Sequence, residues 1–426
     1  MQLMKHQIEA LDQTKNFHRC AYYYDMGLGK TYIGSEKAVS FGKNILVICQ
    51  KSKVMDWKYH FMENYPLIYN YNLTDKKSFD LFVEDYKSGR YNPMVAIINY
   101  ELAWRRNELT KLSDYTLVLD ESSLIQNETS KRAKFILNKL KPSNVVLLSG
   151  TPVSGKYEAL WSQCKLLGWG ISKKLFYRQY VVYELSRDGY PIISGYKNVE
   201  RLKRKIREYG AVFKKTEEVM DLPNQNFINV EVNETTEYRK FKKNSIIEIE
   251  GKTLVGDTTL TKLLYERMLC GSYNPKKLEA FEDLLESTND RLVVFYNFND
   301  ELFQLKEICE RLNKPVSIVN GTVKDLMAYD VADNSITLVQ YQAGAYGLNL
   351  QKANKVIYFT PPLSTELFEQ SKKRIHRIGQ EHPCFYYELK SGIEHHIYDV
   401  LSTKKDYTDK LFEESLRKEK INHAVS

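Results

Sequence analysis

The chain has 426 residues, of which 43% are hydrophobic and 27% are charged. This balance is typical of a globular protein rather than a disordered one, and the length predicts two or three domains, each able to bury its own core. No apolar run approaches membrane-spanning length, and the N-terminus is too polar for a secretory signal. The formal net charge of +8 permits a polyanionic partner without demanding one.

The first half of the chain alternates short β-branched runs with helical stretches. Strands are predicted over Asn44–Cys49, Met94–Tyr100, Thr116–Leu119 and Asn144–Leu148. Strands separated by helices indicate a mostly parallel sheet that is covered on both faces. The stretch from about 170 to 216 is predicted to be helical and without strands, and the polar, Pro-containing segment 222–226 is predicted to link two domains.

The second half repeats this pattern. Five further strands are predicted, over Arg291–Tyr296, Pro315–Val319, Ile336–Gln340, Lys355–Phe359 and Phe385–Leu389. The predicted fold class is therefore α/β, with two tandem lobes that each hold a mostly parallel sheet flanked by helices, and with a helical insertion late in the first lobe. The first lobe is predicted to span residues 1–221 and the second residues 222–426.

A glycine-containing segment near the N-terminus predicts a phosphate-binding loop. Residues 25–31 (DMGLGKT) follow the apolar-aromatic run Cys20–Tyr24 and precede a helix predicted to begin near Lys30. The glycines let backbone N–H groups turn toward phosphate, Lys30 can neutralise β- and γ-phosphate oxygens, and Thr31 can ligate Mg²⁺. The strict eight-residue loop pattern fails because Tyr24 stands where its first glycine belongs. A glycine turn that caps a structural helix is the alternative.

Two further motifs follow predicted strands of the first lobe. Asp120 and Glu121 end one strand, and ligands bind at the carboxyl edge of open parallel sheets. We expect Asp120 to hold the magnesium shell and Glu121 to orient or deprotonate the attacking water. The segment Ser149–Thr151 ends the next strand. It fits either an ordinary turn with a helix cap or a hydroxyl relay from the ATP site to the cleft between the lobes.

The second lobe carries a second candidate phosphate-contacting motif. Gln370, Arg374 and Arg377 are spaced so that they share one face of a predicted helix. Two guanidinium groups on one face suit the γ-phosphate of ATP. The glycine-containing segment 344–350 follows a predicted strand and is expected to approach a phosphate closely.

Taken together, these motifs resemble those of Swi/Snf-type double-stranded-DNA translocases of helicase superfamily two. The string 374–380 (RIHRIGQ) is close to a signature of that family, and residues 25–31 match its first motif. Similar segments also contain Gln7, Trp57, Asn99–Glu101, Ser149–Pro152, Leu160–Trp161, Lys215–Val219, Gly347–Leu350 and Gly392–Ile397. The resemblance runs from about residue 3 to 412. It implies two RecA-like lobes, ATP and Mg²⁺ in the cleft, and duplex DNA running across both lobes.

The resemblance also implies roles for the matching residues. The catalytic residues would be Lys30, Asp120, Glu121, Arg374 and Arg377, with the two arginines acting as fingers. The ATP-binding residues would be Gln7, which reads adenine, together with Met26, Gly27, Leu28, Gly29, Lys30, Thr31, Gly347, Gln370, Arg374 and Arg377. Coupling would rest on Ser149, Gly150 and Thr151, and Mg²⁺ on Thr31 and Asp120.

DNA is expected to be held through its phosphates by cationic side chains and backbone amides, so its binding should not depend on base sequence. The candidate contacts are Lys51, Ser52, Tyr100, Arg105, Asn320, Gly321, Thr322 and Gly344. The densest basic stretch, Arg201–Arg207, is interpreted as a solvated helical face and is not among them.

The sequence departs from the family pattern at three places. Ser123 stands where the acidic box usually ends in histidine, Gln50 replaces a usual proline, and the segment Gly321–Asp333 is shorter than expected. A minimal, monomeric motor from a bacteriophage or bacterium is therefore expected. Its six cysteines include no Cys-x-x-Cys pair, which indicates reduced thiols in the cytoplasm, that of a bacterial host cell if the chain is phage-encoded.

Three functions stay open at this point. The first is an ATP-dependent translocase on double-stranded DNA that remodels or displaces DNA-bound proteins. The second is a strand-separating helicase on DNA or RNA. The third is a DNA-binding scaffold that has lost its ATPase activity, which the serine at position 123 and the shortened second lobe suggest.

Overall fold

The computed structural model describes residues 2–25, 27–153, 156–185, 189–219, 221–342 and 348–403. The described residues divide into two compact units, one that ends at residue 219 and one that runs from 221 to 403. Three predicted site residues, Met26, Gly344 and Gly347, lie outside the described residues.

The first unit is built on a sheet of seven parallel strands. The strands of its described residues are β1 (Arg19–Tyr24), β2 (Asn44–Cys49), β3 (Tyr69–Asn72), β4 (Met94–Asn99), β5 (Tyr115–Asp120), β6 (Asn144–Ser149), β7 (Val181–Leu185), β8 (Pro191–Tyr196) and β9 (Ala211–Lys214). The sheet order is β3-β4-β2-β5-β6-β1-β9, and every neighbouring pair is parallel. The strands β7 and β8 form a separate antiparallel hairpin.

Helices accompany these strands. They are α1 (Lys5–Gln13), α2 (Lys30–Val39), α3 (Val54–Asn64), α4 (Lys76–Ser88), α5 (Tyr100–Ala103), α6 (Lys131–Asn138), α7 (Leu160–Leu166), α8 (Lys173–Tyr180) and α9 (Val199–Glu208). Alternate residues of β1 enter different cores, with Tyr23 in one and Tyr22 and Tyr24 in the other. Because both faces of the sheet are covered, its strands appear in the sequence as continuous apolar runs.

The segment 170–216 is not the strand-free helical insertion that was predicted. It contains α8, the hairpin β7–β8, α9 and β9, and β9 pairs with β1 at the edge of the main sheet. Two physical reasons explain the error. The described hairpin residues are mostly exposed, so they lack the alternation of a half-buried strand, and β9 is only four residues long.

The second unit is built on a second sheet of seven strands. The strands of its described residues are β10 (Gln225–Glu231), β11 (Ile246–Ile249), β12 (Lys252–Val255), β13 (Leu292–Tyr296), β14 (Val316–Val319), β15 (Lys324–Asp325), β16 (Ile336–Gln340), β17 (Lys355–Tyr358) and β18 (Cys384–Lys390). The sheet order is β10-β18-β17-β13-β16-β14-β15, in which the β14–β15 pair is antiparallel and the other pairs are parallel. The strands β11 and β12 form a hairpin.

Helices also accompany this sheet. They are α10 (Thr236–Asn244), α11 (Thr259–Cys270), α12 (Pro275–Glu286), α13 (Asn299–Arg311), α14 (Met327–Val331) and α15 (Thr365–Lys372), and residues 394–403 are helical as well. The predicted linker is shorter than expected, because Gln225 and Asn226 already pair with β18.

Both units are mostly parallel sheets flanked by helices, so the predicted α/β class with two RecA-like lobes is confirmed. All six cysteines are buried free thiols. Within the described ranges, every helix is too short or too polar to cross a lipid bilayer.

Candidate functional site

The predicted phosphate loop lies between β1 and α2, and α2 begins at Lys30 as the sequence indicated. Gly29 has a φ of +70°, and a Cβ atom built there would lie 2.3 Å from Gln7 Nε2. The positive φ favours glycine at this position, and a larger residue would also displace the Gln7 amide from the loop. The N-terminus of α2 adds positive potential at the end of the loop, which suits an anion.

Gln7 holds this loop from α1. Its Nε2 donates to the carbonyl oxygens of Leu28 at 3.3 Å and Gly29 at 3.1 Å, and its Oε1 accepts from Met4 N at 2.8 Å. The side chain is 2% exposed. Gln7 thus lies at the predicted phosphate loop. Its contact with adenine stays a prediction.

Lys30 lies within the turn of the loop. Its Nζ donates to the carbonyl oxygens of Tyr24 at 2.8 Å and Asp25 at 3.1 Å. Asp25 Oδ2 in turn accepts from Thr216 N at 3.1 Å and from Thr216 Oγ1 at 3.3 Å. The first half of the loop is therefore tied to the segment that follows β9. Thr31 is half-buried in the first turn of α2.

The acidic pair lies where β5 ends. Asp120 is the last residue of that strand, and Trp57 Nε1 donates to its Oδ2 at 2.8 Å. Glu121 follows with a φ of +60°, in the left-handed region. The hydroxyl of Tyr100 donates to the carbonyl oxygens of Asp120 at 3.1 Å and Glu121 at 3.4 Å. Asp120 and Glu121 are both half-buried, and their backbone is held from the interior.

The Glu121 carboxylate is held by two hydroxyl groups. Its Oε1 accepts from Ser149 Oγ at 2.5 Å and from Ser123 Oγ at 3.1 Å. Desolvation by the surrounding protein raises the pKa of Glu121, and the charge of Lys30 and these two hydroxyl groups act in the opposite direction. A carboxylate with a raised pKa that keeps one oxygen for a further contact is suited to accept a proton from water.

The hydroxyl groups connect the acidic pair to the segment Ser149–Thr151. Ser149 Oγ donates to Glu121 and accepts from Thr151 N at 3.2 Å, and Gly150 is buried between them. Ser123 contacts the same carboxylate oxygen as Ser149. The replacement of the usual histidine by Ser123 therefore leaves a hydrogen bond to Glu121 in place.

The prediction that Gln370, Arg374 and Arg377 share one helix face is wrong. The helix α15 ends at Lys372, and both arginines lie in the turns that follow it. Two tertiary hydrogen bonds reach the backbone at this ending. Tyr386 Oη donates to the carbonyl oxygen of Lys372 at 3.1 Å. The backbone N–H of Leu350 donates to the carbonyl oxygen of Arg374 at 3.0 Å. The Lys372 carbonyl oxygen also accepts from His376 N at 3.2 Å, as in a helix, so only the bond to Arg374 takes up a carbonyl oxygen that a continuing helix would use.

The two arginines are nevertheless close enough to influence each other electrostatically. Arg374 is 6% exposed, and burial together with the charge of Arg377 lowers its pKa to about 10. Arg377 is half-buried and donates to Asn349 Oδ1 and to the carbonyl oxygen of Leu348. Two neighbouring cations of which one is nearly dehydrated favour a multivalent anion. Gln370 is buried on α15, where its Nε2 donates to Glu366 Oε1 at 3.2 Å.

The predicted DNA contacts separate into surface and interior residues. Lys51, Arg105, Gly321 and Thr322 are exposed, and Ser52 and Asn320 are half-buried. Asn320 Oδ1 accepts from the N–H groups of Thr322 at 2.9 Å and Val323 at 2.8 Å, which fixes a tight turn. The assignment of Tyr100 to DNA is wrong, because its side chain is completely buried beneath the acidic pair.

Sequence reasoning missed three residues that support this site. Trp57 was noted only as part of a similar segment, although it binds Asp120 directly. The sequence predicted no separate role for Asp25 within the loop, and it predicted no role for the interior residue Gln163. A polar residue within the apolar pattern of α7 was the only signal for Gln163.

The oxygen donors of Thr31 and Asp120 fit Mg²⁺, which prefers hard oxygen ligands and usually takes several from water and phosphate. The Trp57 hydrogen bond to Asp120 orients that carboxylate. No group of three or more His, Cys, Asp or Glu side chains within the described residues is arranged as a metal site.

Comparison with known families assigns the chain to a class. The SNF2-related domain matches residues 10–277, and the helicase conserved C-terminal domain matches residues 276–379. The first match covers more than half of the 426 residues. The chain therefore belongs to the SNF2-related family.

Relatives are similar over most of this chain. It is 23% identical over 91% of its length to the candidate ATP-dependent helicase/translocase YwqA of Bacillus subtilis, and it covers 46% of that protein. It is 23% identical over 86% of its length to the Mus musculus SWI/SNF-related matrix-associated actin-dependent regulator of chromatin subfamily A member 1, and it covers 38% of it. The chain thus spans less than half the length of each. The solved Sulfolobus solfataricus SWI2/SNF2 ATPase core in complex with dsDNA is similar with a TM-score of 0.46 and 22% identity, over 96% of this chain and 92% of that chain.

Proposed function

We propose that this chain hydrolyses ATP and uses the reaction to move along double-stranded DNA without reading its base sequence. The observation that carries the proposal is the Glu121 carboxylate, which two hydroxyl groups hold beside a phosphate loop. Its raised pKa and partial exposure suit the activation of water for attack on a phosphate. The surrounding loop supplies a positive helix end and Lys30 for the phosphates.

The first unit would bind and activate ATP as follows. Gln7 would contact the adenine, and the loop backbone with Lys30 would hold the phosphates. Thr31 and Asp120 would hold Mg²⁺, which, when bound, would neutralise charge on the phosphate oxygens. Glu121 would orient the attacking water and accept its proton, while Ser149 and Ser123 keep the carboxylate in position.

Arg374 and Arg377 of the second unit would act as fingers on the same triphosphate. Their partial dehydration raises the affinity of each guanidinium for phosphate oxygens. ATP that is bound by both units favours their closure, and hydrolysis removes that preference. Alternating closure and opening on a bound duplex would convert hydrolysis into movement.

Double-stranded DNA is the substrate that we favour. Two similar proteins carry the words helicase/translocase and regulator of chromatin in their names. The net charge is +8, and the exposed Lys51 and Arg105 can bind phosphates. If six or more phosphates are contacted, affinity should fall by about 10³-fold or more between low and physiological salt. Binding that is insensitive to salt would contradict movement along the DNA backbone.

The deciding experiment is an ATPase assay with four matched samples. These contain no nucleic acid, duplex DNA, single-stranded DNA or RNA. We expect the largest stimulation by duplex DNA. Stronger stimulation by single strands or RNA would support a strand-separating helicase, and absence of turnover in all four samples would support a scaffold without ATPase activity.

A second experiment tests the role of the second unit. The variant Arg377→Ala should lower kcat with duplex DNA by about 10³-fold, the scale of arginine fingers in phosphoryl transfer. Arg311→Ala is the matched control, because Arg311 forms a surface ion pair with Glu282. Normal turnover of Arg377→Ala would show that Arg377 is not a finger.

A further inference from the structure

A buried amide joins three segments of the first unit. Gln163 lies on α7 and is 0% exposed. Its Oε1 accepts from Tyr23 Oη at 2.9 Å and from Ser122 Oγ at 2.8 Å, and its Nε2 donates to the carbonyl oxygen of Pro152 at 2.8 Å. Both hydroxyl donors are also 0% exposed. Each side-chain polar atom of Gln163 therefore has a partner within the core.

The three partners belong to the segments that carry the site. Tyr23 is on β1, one residue before the carbonyl group that binds Lys30. Ser122 directly follows Glu121. Pro152 directly follows the segment Ser149–Thr151, whose first hydroxyl group holds the Glu121 carboxylate. The Gln163 amide thus joins the phosphate loop strand, the acidic pair and the hydroxyl segment through neighbours of the functional residues.

The chemistry of the partners determines how the amide is oriented. The carbonyl oxygen of Pro152 can only accept, so the NH₂ group of Gln163 must face it. The amide oxygen then faces Tyr23 and Ser122, and both hydroxyl groups donate to it. Among side chains of this shape, only an amide offers an acceptor and a donor at once. Leucine offers neither, and an ionised glutamate offers no donor.

We propose that Gln163 is a positioning residue for ATP hydrolysis, which fixes the distance between the Glu121 backbone and the Ser149–Pro152 segment. The inference rests on the proposed ATP hydrolysis at this site. Glu121 has a left-handed backbone conformation that a non-glycine residue rarely adopts, so it needs support from its surroundings. The Ser122 side chain supplies that support one residue away. The Pro152 carbonyl group anchors the segment on the other side.

The alternative is that the network serves only to satisfy polar atoms in the core. The two possibilities differ in what happens when Gln163 and both hydroxyl partners become apolar together, which leaves only the Pro152 carbonyl oxygen without its donor. Replacing hydrogen-bonded partners together by apolar groups of similar shape leaves stability nearly unchanged, whereas removing one partner leaves the others buried and unsatisfied. A purely structural role is therefore rescued by combined substitution, and a positioning role is not.

The test compares Gln163→Leu with the triple variant Tyr23→Phe, Ser122→Ala and Gln163→Leu. The measurements are thermal unfolding, and kcat and KM for ATP with saturating duplex DNA. We expect Gln163→Leu to lower the unfolding temperature and the triple variant to recover part of the loss, because the Pro152 carbonyl oxygen lacks its donor in both. In both variants kcat should stay about 10- to 100-fold below that of the unmodified protein, while KM changes less than about twofold, because small displacements at a reacting centre act on kcat.

Two controls keep the test decisive. Gln126→Leu, an exposed glutamine close to the acidic pair, should leave both quantities unchanged. Tyr23→Phe alone removes one hydrogen bond and provides a milder variant if Gln163→Leu does not fold; its kcat should fall with KM unchanged. A triple variant with restored stability and normal kcat overturns the inference. Absence of turnover in the unmodified protein would instead overturn the proposed function, so the two failures are distinguishable.

Discussion

Glu121 in the first unit and Glu394 in the second both have pKa values raised mainly by burial, but the groups that surround them differ. Glu394 in the second unit is 0% exposed, and its Oε2 accepts from Lys277 Nζ at 2.5 Å and from Ser391 N at 3.0 Å. Lys277 is also 0% exposed and lies 5.4 Å from the ring centre of Phe359. Glu121 in the first unit is partly exposed, and hydroxyl groups rather than a cation contact it directly.

This difference teaches how a buried acid can be used. Desolvation raises the pKa of both groups. In the second unit, the ion pair between Lys277 and Glu394 joins α12 to the helical residues that follow β18. Hydroxyl groups contact Glu121 directly, and the charge of Lys30 opposes the rise of its pKa without a direct hydrogen bond between them. A raised pKa alone therefore does not distinguish the proposed general base from a carboxyl group in a buried ion pair.

The largest effect is expected from Glu121→Gln. The amide keeps the shape and can accept from Ser149, but it cannot take a proton from water. We expect kcat with duplex DNA to fall by about 10²- to 10⁴-fold, the usual contribution of general acid–base catalysis. Thermal unfolding should occur at the same or a higher temperature, because a desolvated acid is removed. Glu108→Gln, at an exposed position, is the control, and turnover within twofold of normal would refute the role.

The opposite result is expected from Lys277→Met. The substitution leaves Glu394 buried without its partner, which typically lowers the free energy of unfolding by about 3–5 kcal/mol. Turnover of the folded fraction should stay close to normal. Adding Glu394→Gln should recover a large part of the stability, since an unpaired charge is no longer buried. Urea unfolding monitored alongside ATPase activity measures both effects, and a stable but inactive Lys277→Met protein would contradict the comparison.

A pH dependence should separate the two sites further. Burial raises the pKa of Glu394 from its ordinary 4.5 to about 7, and Lys277 opposes that rise. The folded protein therefore keeps a proton that the unfolded chain has released, so the free energy of unfolding falls as pH rises from about 5 to 7. A shift of this size corresponds to about 3 kcal/mol. Glu394→Gln should remove this slope in urea unfolding at pH 5, 6 and 7. An identical slope in both proteins would show that Glu394 is not the group responsible.

The smallest effects are expected at the two hydroxyl groups that hold Glu121. Ser149 Oγ lies at 2.5 Å and Ser123 Oγ at 3.1 Å from the same oxygen. Because shorter hydrogen bonds to charged groups are stronger, Ser149→Ala should lower kcat by about 10-fold or more and Ser123→Ala by about fivefold. Steady-state ATPase rates with duplex DNA distinguish the two. The reverse order would show that Ser123, where the family pattern has histidine, is the main link.

The sequence by itself determined the scaffold and the positions of the acidic pair and the loop. All nine strands predicted in the two lobes occur within one residue of the expected ends, because apolar β-branched runs bounded by turns report burial on both faces of a sheet. The start of α2 at Lys30 followed from the glycines before it. These features depend on neighbours in the chain, so the residues alone were sufficient.

Only the tertiary structure decided which side chains meet. Tyr100 turned inward beneath the acidic pair, α15 ended before Arg374, and Gln163 met partners about 10 to 140 residues away in the chain. In each case hydrogen bonds reach residues that are distant in the chain. The physical reason is that a buried polar group needs a hydrogen-bond partner, and the folded chain supplies it from a distant segment. The spacing of residues along the chain does not predict which residue that partner is.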